Sequence, residues 1–269
     1  MAYIINNDIR IHYDTFGNKY SDEVIVFLHG AGSDRTIWKK QVSKLKDNFY
    51  IITIDNRGSG KSDCPEYNYN ASMLSSDIIS VLDKENVNNV NLVGFSLGGL
   101  IAQKFVNDHP HRIKKLILMN CSLGSGNPDT VLPDQDVINM FLFCSALSKE
   151  DCVKNAMDYN FGKRFKLKSP KLYKKYFNEI TNNATGIPFQ IPIMVSSKSL
   201  IENYNKIKFP VLSILSTDDP LIPKENGNAI RKHLPHSRIE YLKGHHSSML
   251  IHPNRVTELI KGFVSGQEN

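Results

Sequence analysis

The stretch Val93-Gly94-Phe95-Ser96-Leu97-Gly98-Gly99 joins an apolar run of strand length to a segment with helical spacing. Glycines stand two positions before and two positions after Ser96, which is the Gly-x-Ser-x-Gly pattern of a nucleophile elbow. A sharp strand-to-helix turn needs small residues there, because the strained serine backbone brings the flanking chain close together. The turn would hold the serine hydroxyl at a helix N-terminus, where free N–H groups stabilise a developing oxyanion. The same pattern also occurs in ordinary turns, so the surrounding chain has to decide.

Segments with the composition of strands recur along the chain and alternate with segments of helical spacing. These strand-like segments are residues 23–28, 49–54, 90–94, 113–119, 211–215 and 238–242. Largely apolar strands separated by helices are typical of a parallel sheet that is buried on both faces. Two further strands, at 2–5 and 9–16, are joined by a polar turn and bring the number to eight. The sequence therefore predicts an α/β fold with a mostly parallel eight-stranded sheet and helices on both faces.

The alternation is interrupted between residues 122 and 207, where helical spacing continues without a convincing strand. The clearest helical stretches are 137–147, 149–159 and 169–181. Pro188 and Pro192 are expected to break up the stretch that follows, because proline disrupts a helix interior. Since strands resume afterwards, we interpret 122–207 as a helical cap inserted over the sheet, with 1–121 and 208–269 forming the core.

The chain carries 33 basic and 27 acidic side chains, which give a formal net charge of +6 and a pI near 9.0. We interpret the excess as spread along the chain and heaviest in residues 163–168 and 171–175. No basic helix has the pattern of a DNA- or RNA-binding element. A solvated, lysine-rich surface is therefore expected, and no nucleic-acid partner.

Localisation signals and metal-binding patterns are not found in the sequence. No run approaches the roughly 18 apolar residues of a membrane span, so no membrane partner is expected. The N-terminus lacks the basic and apolar regions of a secretory signal. The four cysteines form no Cys-x-x-Cys pair and no zinc-type spacing with histidine. These features favour a cytoplasmic protein with reduced thiols, no metal and no cofactor, with a Cys144–Cys152 link as an open alternative.

Asp and His side chains follow two of the predicted strands downstream of Ser96. A serine hydroxyl becomes a good nucleophile only when a base takes its proton and a carboxylate orients that base. In an open α/β sheet, such groups gather at the carboxyl ends of the strands. Asp218 and Asp219 come directly after residues 211–215, and His245 and His246 come shortly after 238–242. The order Ser–Asp–His is the order expected with this elbow.

These motifs together resemble those of the α/β-hydrolase superfamily, and the resemblance extends over nearly the whole chain. His29-Gly30-Ala31-Gly32 resembles the family's oxyanion loop, and the segment from Asp55 to Ser62 resembles its Asp-x-Arg-Gly-x-Gly-x-Ser loop. The segment from Ser216 to Pro223 resembles the acid loop, although Ser216 stands where the family usually has glycine. Among members with a helical cap, the chain most resembles carboxylesterases and enol-lactonases.

The resemblance implies a role for each residue of the site. Position in the acid loop favours Asp219 over Asp218 as the orienting carboxylate, and spacing to a downstream proline favours His246 over His245 as the base. The backbone N–H groups of Ala31 and Leu97 would hold the oxyanion. Aromatic and methionine side chains near the site would line the substrate pocket or belong to the plain core. The candidates are Trp38, Phe95, Met140, Phe141 and Phe143.

The function that the resemblance implies is hydrolysis of a small carboxylic ester or lactone through an acyl-serine intermediate. Two alternatives remain open at this point. One is hydrolytic C–C cleavage on the same fold, and the other is a non-catalytic receptor that binds a ligand on a hydrolase scaffold. The expected partner in each case is a small molecule, and its acyl or alcohol group lies beyond what motifs can specify.

Overall fold

The fold is built around one eight-stranded sheet, in a computed structural model that describes residues 2–143, 146–196 and 204–267, without the side chains of Phe141, Ser196 and Asn205. The strands are β1 (Ala2–Asn6), β2 (Ile9–Phe16), β3 (Val24–Leu28), β4 (Tyr50–Ile54), β5 (Val90–Phe95), β6 (Ile113–Met119), β7 (Val211–Ser216) and β8 (Arg238–Leu242). Their order across the sheet is β1-β2-β4-β3-β5-β6-β7-β8. The pairs β1–β2 and β2–β4 are antiparallel and the other five are parallel. The predicted fold class is confirmed.

Helices cover both faces of this sheet. They are α1 (Lys39–Leu45), α2 (Ala71–Glu85), α3 (Leu97–Asp108), α4 (Gln135–Phe143), α5 (Lys149–Phe161), α6 (Phe165–Lys168), α7 (Pro170–Asn183), α8 (Ile187–Ser196), α9 (Asn226–His233), α10 (Ser248–Ile251) and α11 (Pro253–Ser265). Successive side chains of a strand point to opposite faces. In β3, Val26 and Leu28 accordingly pack in the same core cluster as α2 and α3, whereas Ile25 and Phe27 pack with α1 and α11. Burial on both faces explains why β3 is apolar at every position.

Five helices, α4 to α8, lie between β6 and β7, and no strand occurs in the part of residues 122–207 that the structure describes. We call residues 122–207 the inserted segment. Its helices α4, α5 and α7 agree with the predicted stretches to within a few residues. The expectation that Pro188 and Pro192 break up the stretch that follows α7 is wrong, because both lie within the helix α8. Pro188 lies in the first turn, where the helix needs no backbone donor, and Pro192 lies inside the helix.

The inserted segment has a small core of its own and is fastened to the sheet domain by hydrogen bonds. Phe161 stacks on Phe165 and on Tyr176 with ring centroids 4.6 and 5.0 Å apart. The buried Gln190 amide donates to the backbone carbonyl of Arg57, which is 3.1 Å away. These contacts hold the segment over the carboxyl ends of the strands. Its treatment as a cap distinct from a core of residues 1–121 and 208–269 stays a prediction.

The cysteines differ in their oxidation state. Cys64 and Cys121 are free thiols, whereas Cys152 is disulfide-bonded, so the expectation of reduced thiols is wrong for Cys152. Cys144 lies outside the described residues. Within the described ranges, no group of three His, Cys, Asp or Glu side chains could hold a metal ion. Nor does that part of the chain contain a helix that is both long and apolar enough to span a membrane.

Candidate active site

Ser96 lies between β5 and α3 in a backbone conformation that few residues adopt. Its φ is 52° and its ψ is −119°, and its backbone N–H donates to the Met119 carbonyl over 2.9 Å. A Cβ on Gly94 would lie 2.7 Å from the Cα of Gly99, and a Cβ on Gly98 would lie 2.7 Å from the His29 carbonyl oxygen. The two glycines of the motif are therefore sterically required. The turn leaves Ser96 partly exposed among buried neighbours.

Ser96, His246 and Asp219 form a continuous chain of hydrogen bonds. His246 Nε2 lies 2.8 Å from Ser96 Oγ, and His246 Nδ1 lies 2.7 Å from Asp219 Oδ2. The second carboxylate oxygen, Asp219 Oδ1, accepts from the backbone N–H groups of Leu221 at 2.8 Å and Ile222 at 3.0 Å. Both Asp219 and His246 are buried. The carboxylate is thus fixed in place and can orient the imidazole toward the serine.

The neighbouring acid and histidine take different positions. Asp218 is exposed and accepts from the Thr217 hydroxyl at 2.9 Å. The His245 ring packs against Gly162 of the inserted segment, where a Cβ would lie 2.6 Å from the ring carbon Cε1. Of the two carboxylates and two imidazoles left open by the sequence, Asp219 and His246 are the pair that the structure brings to Ser96.

A polar cluster behind His246 was not anticipated from the sequence. The Asn120 amide donates to the backbone carbonyl of His246 through a short hydrogen bond and to Ser216 Oγ over 2.8 Å. Ser216 Oγ lies 2.6 Å from Ser248 Oγ. Ser216, which replaces the family's usual glycine, thus ends β7 with its hydroxyl inside this cluster. Asn120 could have been noticed as a polar residue that directly follows β6, at the edge where the other site residues gather.

The segment from His29 to Gly32 lies beside the elbow. The buried His29 ring has Nδ1 2.8 Å from the Gly30 carbonyl, and its Nε2 accepts from the Asn56 N–H over 3.0 Å. Burial lowers the pKa of His29, which favours the neutral ring that this pair of bonds requires. A Cβ on Gly30 would lie 3.2 Å from Ser96 Cβ, so the loop abuts the serine.

The two predicted oxyanion donors belong to the two segments next to Ser96, the 29–32 loop and the start of α3. Ala31 follows Gly30 in the loop and lines a cavity in front of the serine. Leu97 is the first residue of α3, where the backbone N–H has no partner within the helix. Their assignment as oxyanion donors stays a prediction.

Two cavities meet at Ser96. The first, about 90 Å³, is lined by residues of the 30–37 loop together with α5, α7 and α8, and we call it the loop-side cavity. The second, about 190 Å³, lies on the α3 side, and we call it the apolar cavity. Most of its lining is aliphatic: Leu97, Leu100, Val131, Leu132, Pro133, Ile138, Met194, Val195, Leu221 and Ile222. Ser96, His246, Met194 and Leu221 line both cavities, so the serine stands at the junction of two chambers.

The five predicted pocket residues are divided by the structure. Phe95 and Met140 line the loop-side cavity, and the Phe95 ring lies 5.1 Å from the His246 ring. Trp38 is fully buried against Phe27 in the core and lines neither cavity, so its placement in the pocket is not supported. Phe143 is 63% exposed and lies on an outer groove instead. The side chain of Phe141 lies outside the described residues.

The loop-side cavity carries two carboxyl groups that the sequence did not indicate, Asp34 and Glu179. Burial would raise the pKa of Asp34, but hydrogen bonds from the Thr36 hydroxyl and N–H outweigh it and lower that pKa. Burial raises the pKa of Glu179; the Lys175 ammonium opposes this rise and the Asp34 carboxylate adds to it. No Lys or Arg lines either cavity among the described residues. Apart from His246, the described side chains lining the chamber in front of Ser96 that can carry a charge near neutral pH are therefore the two carboxyl groups, and Lys175 lies 3.8 Å from Glu179.

The chain belongs to the α/β-hydrolase fold family, whose model matches residues 23–253. It is 22% identical over 257 residues to 3-oxoadipate enol-lactonase 2 of Acinetobacter baylyi, covering 96% of this chain and 94% of that protein. It is 24% identical over 281 residues to 2-hydroxy-6-oxononadienedioate/2-hydroxy-6-oxononatrienedioate hydrolase of Burkholderia vietnamiensis, covering 96% and 91%. The predicted family is confirmed, and it is a family of hydrolytic enzymes.

Solved structures show the same fold over the full chain. The enol-lactonase from Burkholderia xenovorans matches with a TM-score of 0.87 at 20% identity, covering 98% of this chain and 100% of that one. An esterase from Exiguobacterium antarcticum matches with a TM-score of 0.83 at 24% identity, covering 98% of each chain. At these identities the likeness establishes the fold and leaves the substrate open.

Proposed function

We propose that this protein hydrolyses an uncharged carboxylic ester or lactone through an acyl-serine intermediate. The observation that carries the proposal is the hydrogen-bonded chain Asp219–His246–Ser96, with distances of 2.7 and 2.8 Å, at the junction of two cavities. A serine with such a base is activated for attack on a carbonyl carbon. The similarity to enol-lactonases and an esterase supports the same reaction class.

The reaction would proceed in two halves. His246 accepts the Ser96 proton as the oxygen attacks the carbonyl carbon, and the N–H groups of Ala31 and Leu97 receive the negative oxygen of the tetrahedral intermediate. His246 then passes the proton to the departing alcohol oxygen, which leaves an acyl ester on Ser96. Water, deprotonated by His246, releases the acid and restores the serine. Asp219 holds the imidazole orientation throughout and stabilises its charged form.

We also propose that the inserted segment acts as a cap that selects the substrate. Side chains of the segment line both cavities: Met140 and Ile180 the loop-side one, Ile138 and Val195 the apolar one, and Met194 the two together. An ester has an acyl chain and an alcohol chain on either side of its carboxyl group. The two cavities that meet at Ser96 could each hold one of these chains. A free chain on each side of the carbonyl is accommodated more readily than a compact ring.

The charge of the cavities supports an uncharged substrate. The names of both curated relatives contain a dicarboxylate, adipate in one case and dienedioate in the other. A cavity for such an anion is expected to supply a cationic partner. Here the described lining supplies Asp34 and Glu179 and no Lys or Arg. We therefore infer that this chain differs from those relatives in substrate charge.

Covalent labelling with a fluorophosphonate probe tests the proposal most directly. The wild type should be labelled and Ser96→Ala should not. Turnover of p-nitrophenyl esters should fall by about 10⁶-fold in Ser96→Ala and in His246→Ala and by about 10⁴-fold in Asp219→Asn. His245→Ala and Asp218→Asn are the matched controls and should stay near normal. An unlabelled, well-folded wild type would favour the alternative of a non-catalytic receptor.

Hydrolytic C–C cleavage is a second candidate, favoured by the similarity to the Burkholderia vietnamiensis hydrolase. The same serine could attack a ketone flanked by a carbon able to leave as a stabilised enolate. A panel of esters, lactones and vinylogous diketones separates the two reactions. Faster turnover of an uncharged ester than of any diketone supports ester hydrolysis, and the reverse order supports C–C cleavage.

A further inference from the structure

The positive charge of the chain is concentrated in one stretch, residues 163–175. This stretch contains seven basic residues and no Asp or Glu: Lys163, Arg164, Lys166, Lys168, Lys171, Lys174 and Lys175. The whole chain has 33 basic and 27 acidic side chains, so the other 256 residues carry 26 and 27. The interpretation that the excess is spread along the chain is therefore wrong. These 13 residues carry a formal charge of +7, and the other 256 residues carry −1.

The basic side chains of this stretch lie on the protein surface. It covers the turn after α5, the short helix α6 and the start of α7, and all seven basic side chains are exposed. Within the described chain, Lys175 is the member of the set that lies within 4.0 Å of a carboxylate, 3.8 Å from Glu179. The remaining six are available to an anionic partner.

Exposed leucines stand among these cations. Leu167 is 83% exposed and Leu172 is 42% exposed. The aromatic residues of the same stretch are partly buried: Phe165 stacks on Phe161, and Tyr173 stacks on Phe177 with centroids 6.0 Å apart and has Lys166 Nζ 5.6 Å from its ring centroid. The stacked rings anchor α6 and α7, which leaves Leu167 projecting between Lys166 and Lys168. We call residues 163–175 the basic surface.

The basic surface borders a groove that lies next to the loop-side cavity. Lys163, Arg164, Phe165 and Lys168 line this groove, whose volume is about 900 Å³, together with the exposed Phe143. Met140 and Phe161 line both the groove and the loop-side cavity. They therefore form the wall between them, so a partner on the basic surface would lie next to the chamber that contains Ser96.

We propose that the basic surface docks onto an anionic phospholipid membrane, which revises the expectation of no membrane partner: that expectation considered spanning segments and not surface binding. Clustered Lys and Arg side chains are attracted to anionic headgroups, and a projecting leucine gains free energy by entering the acyl boundary. Leu167 is what favours a membrane over a nucleic acid or an acidic protein surface, because an isolated exposed leucine adds little to binding of phosphates or carboxylates. The proposal is independent of the hydrolytic reaction, although docking there would place the site close to lipid-soluble esters.

Vesicle co-sedimentation of the full chain tests the proposal. The probes are vesicles of phosphatidylcholine alone and vesicles that also contain phosphatidylserine. Wild-type protein should bind the anionic vesicles, should leave the neutral ones unbound, and should be released by added salt. Binding to neither kind of vesicle, or to both equally, would overturn the proposal. Binding to polyuridylate or to an acidic protein without binding to anionic vesicles would also overturn it.

Three variants assign the binding to residues. Lys171→Glu/Lys174→Glu should weaken binding to anionic vesicles by about tenfold or more, and Leu167→Ser should weaken it by about threefold. Lys39→Glu/Lys40→Glu, which reverses two exposed charges on α1, is the matched control and should change binding much less. All three should keep the circular dichroism spectrum and the thermal unfolding midpoint of the wild type, which shows that they are folded. If the control variant loses vesicle binding to the same extent, the binding depends on the net charge of the protein. That outcome would contradict a localised binding surface.

Discussion

The sheet that carries Ser96 and the inserted segment that covers it differ in how tightly their residues are constrained. In β3 and β5 every residue is buried, and the flanking glycines of the elbow have no room for a Cβ. In the inserted segment, by contrast, several large apolar side chains remain exposed. They include Leu142, Phe143, Leu147, Leu167, Leu172 and Val195.

The comparison indicates a division of work between the two regions. Replacing a packed core residue removes contacts on all sides, so the change affects the stability of the whole fold. A side chain that lines a cavity has contacts on one side only, so its replacement changes what fits and changes stability less. We therefore expect core substitutions to alter stability and inserted-segment substitutions to alter selectivity.

The largest expected effect is that of Trp38→Ala. Trp38 is fully buried against Phe27, so its truncation should lower the free energy of unfolding by about 3–5 kcal/mol, as measured by chemical denaturation. The relative rates for esters of different chain length should stay unchanged. Met140→Ala is the counterpart: it should change those relative rates and cost about 1 kcal/mol or less. A shift of chain-length preference in Trp38→Ala would place the tryptophan in the pocket after all.

A smaller effect is expected for the two asparagines that hold the His246 loop from opposite regions. Asn120, from the sheet, donates to the His246 carbonyl and to Ser216. Asn160, from α5, accepts from the Ser247 hydroxyl at 2.8 Å. Asn120→Ala should lower kcat by about 10- to 100-fold with little change in KM, because misplacing the base slows the chemical step. Asn160→Ala should cost only a few-fold, since the Ser247 N–H still donates to the carbonyl of residue 160.

Steady-state kinetics on one uncharged ester checks both asparagine variants. A merely structural role for Asn120 would reduce the folded fraction and leave kcat per folded molecule unchanged. Active-site titration with the fluorophosphonate probe measures that fraction. An equal loss of kcat in the two variants would contradict the prediction that Asn120 positions His246 more strongly than Asn160 does.

Sequence patterns predicted the sheet and the turn that carries Ser96 for the same physical reason. A strand buried on both faces must be apolar, and an elbow without room for a Cβ must have glycine. Both constraints act on neighbouring residues and are visible locally. Asp219 could be preferred over Asp218 because its loop has a recognisable spacing.

Contacts between distant parts of the chain could not be predicted in this way. Asn120 and His246 are 126 positions apart, and Asn183, which donates to Asp34, is 149 positions from it. The pocket prediction for Trp38, which the structure does not support, has a different cause. An apolar stripe on a helix has the same sequence pattern whether it faces a core or a pocket. The proposed substrate charge rests on Asp34 and Glu179, which come from such distant parts of the chain, and this explains why the motifs leave it open.

Charge selectivity should depend on the inserted segment through Glu179. Esters that end in a sulfonate, on the acyl arm in one series and on the alcohol arm in another, should react more slowly than their methyl-terminated counterparts. Glu179→Gln should relieve this discrimination by about threefold for at least one arm, because one repelling charge is removed from a partly solvated site. Glu150→Gln removes an exposed charge from α5, away from both cavities, and should change nothing. Unchanged discrimination in Glu179→Gln would remove Glu179 from the account of substrate charge.

The smallest expected effect is a pH dependence of the same discrimination. The pKa of Glu179 is raised, so as pH falls this carboxyl takes up its proton above 4.5, the ordinary value for glutamic acid. Protonation removes a negative charge from the loop-side cavity, whereas the Asp34 carboxyl, whose pKa is lowered, stays ionised to lower pH. The rate ratio of methyl- to sulfonate-terminated ester should therefore decrease on acidification, and the sulfonate itself does not titrate. Taking the ratio cancels every effect of pH that is common to the two esters. In Glu179→Gln the ratio should be flat over this range, and a persistent slope would assign the titration to another group.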